Sequence, residues 1–196
     1  MAWTSDDPGG TGQDAVLVVV DMQRFFAAGG AWEVPGFEAL IEPVDRLVRC
    51  YGDRAIFTRF VVPEDPAGSW IDYYQEWPQV CGPGAKAHAD LVPPWTGQAW
   101  RLIDAPRFSK WGPELAAAVG PAAPLAVCGV STECCVLATA LAAADAGRHV
   151  RVISDACAGA TPEAHQQALA ILAYFAPQVT ICSVAEELER LRCSAA

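Results

Sequence analysis

Residues 15–20 read AVLVVV, an unbroken apolar run that stops at Asp21. A strand without polar alternation must be covered on both faces, which is the habit of parallel sheets in α/β proteins. Similar runs recur at residues 54–60, 100–103, 125–128, 149–154 and 179–182. Segments with helical spacing or composition lie between them, at 37–51, 112–119, 132–146, 162–174 and 185–192. The alternation predicts an α/β fold: a single-domain three-layer αβα arrangement around a six-stranded, mostly parallel sheet. Residues 63–94 interrupt it with an irregular stretch rich in Pro, Gly and aromatics. An insertion of that length in a compact domain is usually functional or holds short helices.

The 196 residues suit one domain, here 15–196, preceded by a polar, Gly-rich tail at 1–14. Hydrophobic residues make up 53% and charged residues 18%, enough to bury a sizeable core. A net charge of −10 argues against nucleic acid and against anionic membrane surfaces as partners. The opening residues lack the basic and apolar regions of a secretory signal, and no run approaches the ~20 apolar residues of a membrane span. The expected location is cytoplasmic, and the eight cysteines are expected to be reduced thiols. With three histidines and no C-x-x-C pair, a zinc site has little support.

In open parallel sheets, ligands bind beyond the carboxyl ends of the strands. Asp21 closes the first strand, and Cys135 follows the strand that ends near Gly129. With Thr132 as an N-cap, Cys135 falls in the first turns of a helix, whose dipole favours a thiolate. Asp21 can then take the thiol proton while Cys135 attacks a carbonyl. Backbone N–H groups at Ser131 and Cys135 are placed to hold an oxyanion. Taken singly, an Asp after a strand is as often a loop cap, and a helical Cys is more often a small core residue. Composition does not choose between Cys134 and Cys135.

The wider pattern does choose. Val19-Val20-Asp21-Met22-Gln23 with Phe26, then Gly129-Val130-Ser131-Thr132-Glu133-Cys134-Cys135-Val136 with Thr139-Ala140, then Asp155-Ala156 with His165 and Ala168-Leu169, occur in order over nearly the whole chain. This combination resembles the isochorismatase-like cysteine hydrolases, of nicotinamidase and N-carbamoylsarcosine amidase type, with their Rossmann-like fold. The resemblance implies that Cys135, immediately before Val136, is the nucleophile, and that Cys134 faces the core or a subunit contact. It also implies a cis peptide between Val130 and Ser131 and agrees with a homo-oligomer; no cofactor is expected.

Two departures stand out. The family's catalytic lysine lies four residues before a Ser in a Lys-x-x-x-Ser-x-aromatic pattern. Here Ser109 and Trp111 fit and the lysine position falls on Ala105, a natural loss or an engineered change that disables the enzyme. Lys110 is read as a solvated surface lysine, able to substitute only if a one-turn helix or bent loop carries it inward. The second departure is that Phe60-Val61-Val62 replaces the Asp-x-His of nicotinamidases, so neither metal binding nor nicotinamidase activity as such is expected.

The expected substrate site combines Phe26, Arg59, Trp70, Tyr74 and Trp111, with Tyr73, Trp77 and Phe108 nearby; an Arg fork and stacking rings suit a small planar or acidic amide. The same aromatics could instead anchor the insertion or a subunit interface. The leading functional reading is hydrolysis of a small-molecule C–N bond through a thioester. The alternatives are a non-catalytic ligand-binding or assembly module, favoured by Ala105, and an isochorismatase-type vinyl ether hydrolase, disfavoured by Cys135.

Overall fold

The computed structural model describes residues 14–192. The tail read at 1–14 lies, apart from Asp14, outside the described residues. The apolar runs form β1 Val16–Val20, β2 Ala55–Phe60, β3 Arg101–Ala105, β4 Leu125–Val130, β5 Val150–Ala158 and β6 Val179–Cys182. Among the described residues they make one six-stranded sheet, β3-β2-β1-β4-β5-β6, and every neighbouring pair is parallel. The burial of each strand follows its place: β1 and β4 are buried throughout, whereas edge strand β3 exposes Arg101, Leu102 and Asp104.

The helices are α1 Ile41–Tyr51, α2 Trp70–Glu76, α3 Pro113–Val119, α4 Leu137–Asp145, α5 Pro162–Ala173 and α6 Val184–Arg190. The chain leaves β1 towards β2 in one direction and β4 towards β5 in the other. Right-handed crossovers therefore put α1 and α4 on opposite faces. α1 packs with α6, and α4 packs with α5. Local chemistry sets the helix starts. Thr161 accepts a hydrogen bond from the Ala164 N–H at 3.1 Å, with Pro162 in the first turn of α5. Ser183 and Glu186 form a reciprocal capping box on α6. In the core, the Arg151 guanidinium donates to both oxygens of Glu187 at 2.8 and 2.7 Å, and the Tyr51 hydroxyl donates to the same carboxylate. Burial alone would raise the Glu187 carboxyl, but the Arg151 and Tyr51 hydrogen bonds and the Arg151 charge outweigh it and hold it below its ordinary value. The network ties α1, β5 and α6 together.

The crossover direction reverses between β1 and β4, so a crevice opens above their carboxyl ends. Val20 is in register with Gly129 there. Gly129 has φ +111°, and a Cβ on it would lie 2.1 Å from the Val20 carbonyl oxygen. Only glycine permits this strand approach, which sets Asp21 and the segment after β4 side by side.

Three expectations are corrected. Thr132 does not cap a helix. Residues Thr132–Val136 form a π-wound turn ahead of α4, and the Thr132 hydroxyl pairs with His165 Nδ1 at 2.8 Å, joining that turn to α5. Burial holds His165 below its ordinary imidazole pKa, against an opposing pull from Glu133. The fifth strand extends beyond Ser154 to Ala158, with a register shift against β4. The thiols are also not uniformly reduced: Cys81, Cys128, Cys134, Cys135, Cys157 and Cys182 are free, but Cys50, near the end of α1, is disulfide-bonded. Among the described residues, no helix is long and apolar enough to cross a membrane.

Candidate active site

Asp21 directly follows β1 with φ +50°, an uncommon conformation for a residue with a side chain. It is fully buried. Its N–H donates to the Thr58 carbonyl at 3.2 Å, and the Thr58 hydroxyl donates to its Oδ1 at 2.8 Å, so β2 fixes the carboxylate. Gln23 closes the same strand ends, accepting from the Phe60 N–H at 2.7 Å and donating to the Phe60 carbonyl at 3.0 Å. The other Asp21 oxygen meets a cation: Lys110 Nζ lies 2.8 Å from Oδ2, and both side chains are 0% exposed. The ammonium also donates to the Arg107 carbonyl at 2.9 Å and stands 4.6 Å from the centroid of the Phe60 ring. The Lys110 N–H donates to Thr139 Oγ1 at 2.9 Å, which pins its loop to α4. Hydrogen bonds to Asp21 Oδ1 and from the Lys110 ammonium support the buried ion pair, and Oδ2 is left to the charge of Lys110.

This geometry corrects the reading of Ala105 and Lys110. Ala105 is the last residue of β3, paired in register with Phe60 and buried. The cation beside Asp21 is Lys110 instead. The chain bends after Ala105 and returns Lys110, which is no surface lysine, to the carboxylate. Counting back from Ser109 along a fixed motif missed this, because the cation reaches the site from after the bend rather than from the strand end. A signal was present: the chain has only two lysines, Lys86 and Lys110, against eleven arginines.

Cys135 comes from the other side of the crevice, in the π turn. The N–H groups of Cys134 and Val136 both donate to the Ser131 carbonyl, at 3.2 and 3.1 Å. The Val130–Ser131 peptide is cis. Cys135 is 3% exposed and lines the cavity below. Burial pushes its thiol well above the ordinary range; the Asp21 charge and a hydrogen bond to Asp21 add to this, and the Lys110 charge opposes it. The resting group is therefore a neutral thiol directed at Asp21. Cys134 is half-buried, packs against the core and also lines the same cavity. Its thiol is also raised, by burial and then by the Glu133 charge, with a Ser131 hydrogen bond acting the other way.

The cavity measures about 510 Å³. Its walls are aromatic: Phe26, Trp32, Phe60, Tyr73, Trp77 and Phe108, with Ser131, Cys134 and Cys135 at one end. Of the substrate residues expected from sequence, Phe26, Tyr73, Trp77 and Phe108 line it, whereas Arg59, Trp70, Tyr74 and Trp111 do not. Arg59 lies elsewhere, beside a second cavity, where its guanidinium forms a two-pronged pair with Asp104 at 2.8 and 2.8 Å. Trp70 and Tyr74 form the layer behind the wall. They are one turn apart on α2, and Trp70 rests on Phe108 at 5.0 Å and Phe60 at 6.0 Å. Tyr73 and Trp77, on the neighbouring stripe, take the cavity face. Trp111 faces away from the cavity, with the Arg148 guanidinium 5.6 Å over its ring. Sequence reasoning missed Trp32, Glu33 and Glu133 as wall residues. Trp32 packs against Phe25, Phe26 and Phe60 at 5.1, 5.7 and 5.1 Å, in a loop without periodicity to reveal it.

A family model described as the isochorismatase domain matches residues 15–183. The chain belongs to the isochorismatase family. Solved structures with the same fold include a cysteine hydrolase from Pseudomonas syringae pv. phaseolicola 1448A, 20% identical, with a TM-score of 0.81 over 98% of this chain and 99% of that one. A nicotinamidase from Bacillus subtilis is 20% identical, with a TM-score of 0.69 over 85% and 99%. A pyrazinamidase from Pyrococcus horikoshii, solved in complex with zinc, is 25% identical, with a TM-score of 0.67 over 87% and 99%. No curated protein matches by sequence. In this isochorismatase-family chain the end of β2 does not fit a metal. Phe60, Val61 and Val62 carry no donor atoms in their side chains, and the Phe60 ring already faces the Lys110 ammonium. Among the described residues, no group of three or more His, Cys, Asp or Glu side chains could hold a metal ion.

Proposed function

We propose that this chain is an active hydrolase of C–N bonds in small amides, working through a thioester on Cys135, with Asp21 as base and acid and Lys110 as the cation. One observation carries the reading: the Lys110–Asp21 ion pair at 2.8 Å lies behind a thiol that lines an aromatic cavity. In the first step the Cys135 proton passes to Asp21, and sulfur bonds to the amide carbon. The oxygen becomes an oxyanion, held by the backbone N–H groups of Ser131 and Cys135. The C–N bond then breaks, and the amine leaves with the proton held on Asp21. Water, deprotonated by Asp21, attacks the thioester carbon, and the carboxylic acid departs as the Cys135 thiol is restored. Lys110 pairs with the Asp21 carboxylate and favours the thiolate, while the aromatic walls hold the substrate.

The binding-only reading rested on a missing cation, and Lys110 removes that ground. The test is a set of kcat/KM values for release of ammonia from primary amides. Lys110→Met should lower the value by about 10²–10³-fold, the scale of one lost electrostatic stabiliser. Ala105→Lys should bring no gain. Activity that survives Lys110→Met and rises with Ala105→Lys would overturn the assignment.

A further inference from the structure

We propose that the cavity selects an amide bearing a positively charged nitrogen group, and that Glu133 is the residue that recognises it. The proposal rests on the amidohydrolase reading and specifies the substrate class for that site.

Three features of the wall converge. The rings of Trp32, Tyr73, Trp77 and Phe108 offer the negative faces that attract cations. The two charged residues lining the cavity, Glu33 and Glu133, are both acidic; no Lys, Arg or His lines it. Lys110 adds no free positive charge, because it lies behind the wall against Asp21.

Glu133 is also held in place at the cavity wall. It stands two residues before Cys135, and its Oε1 accepts from the Ala160 N–H at 3.0 Å, which fixes the carboxylate. Its Oε2 is buried and has no hydrogen-bond partner among the described residues. Its charge is felt by its neighbours, raising both the Cys134 thiol and the His165 imidazole. The Oε2 atom lies against Gly159, whose Cβ, if present, would come within 2.5 Å of it, so Glu133 acts on a bound cation through its charge rather than by a direct hydrogen bond. An acidic amide would instead bring a carboxylate against two others. Arg59 is engaged by Asp104, and among the described residues no guanidinium lines the cavity to receive it. The net charge of −10 steers in the same direction.

The test compares three primary amides of similar size: trimethylammonioacetamide, its neutral isostere 3,3-dimethylbutanamide, and the anionic succinamate. Ammonia release gives kcat/KM for the native protein and for Glu133→Gln, which keeps the acceptor for Ala160 and loses the charge. Tryptophan fluorescence gives binding to Cys135→Ala. The native protein should favour the cationic amide over its isostere by about tenfold or more, the scale of a desolvated cation–π and charge contact. Glu133→Gln should lower that ratio severalfold. A ratio near one, a preference for succinamate, or a ratio unaltered in Glu133→Gln would overturn the proposal. The two readings fail separately. Selective binding of the cationic amide to Cys135→Ala without turnover by the native protein would support the cation pocket and sink the hydrolase. Turnover of all three amides alike would do the reverse.

Discussion

At the scale of single residues, the site is an electrostatic compromise. Asp21 raises the Cys135 thiol and Lys110 lowers it, on top of the larger effect of burial. The signs predict opposite outcomes for two substitutions. In a Cys81→Ser background, which silences the exposed thiol, alkylation of Cys135 by iodoacetamide should rise with pH through a midpoint above that of an ordinary thiol. Asp21→Asn should move the midpoint down, because a nearby negative charge is gone. Lys110→Met should move it up. Asp21→Asn should nonetheless lower amide turnover by about 10²–10⁴-fold, since the proton acceptor is lost. Peptide mapping of the alkylated protein against pH checks the direction of each shift; midpoints moving together would break the account. Lys110 is also where motif reading erred. Residue counting carries no information on where β3 ends or how the chain bends after Ala105.

At the scale of elements, the chemistry depends on β1 and β4 lying close enough for their ends to share one crevice. The approach is set at Gly129, where a Cβ would meet the Val20 carbonyl at 2.1 Å. Gly129→Ala should therefore destabilise the protein by about 3 kcal/mol or more, combining a strained φ with overpacking. It should cost activity beyond what the loss of folded protein explains. Denaturant midpoints and per-folded-molecule rates check both parts; a variant as stable and as active as the parent would contradict this role. The strands were legible because runs such as AVLVVV have few other ways to be buried. The π turn was not. Thr132 reads locally as a cap, and only its distant partner His165 shows that it is used otherwise.

At the scale of the whole molecule, the six-stranded parallel sheet followed from the sequence pattern, but the character of the pocket did not. Eighteen residues in 196 are aromatic, and their sequence positions do not say which layer each occupies. Trp70 and Tyr74 went to the buttress, Tyr73 and Trp77 to the wall, and Trp32 joined from a loop. Arg59 was assigned to substrate because it ends β2, yet strand alternation sends it to the far side of Phe60 and into the grip of Asp104. The result is a neutral-to-acidic aromatic chamber lined by the Cys135 thiol, with the Lys110–Asp21 ion pair behind it. That thiol is the central claim, and it can be tested without the natural substrate. The Cys81→Ser protein is mixed with 4-nitrophenyl acetate, quenched in acid, weighed and mapped. The account predicts a single acetyl group on Cys135, absent in Cys135→Ser and formed far more slowly in Lys110→Met. Acetylation of Cys134 instead, or of Cys135 at an equal rate without the lysine, would contradict it.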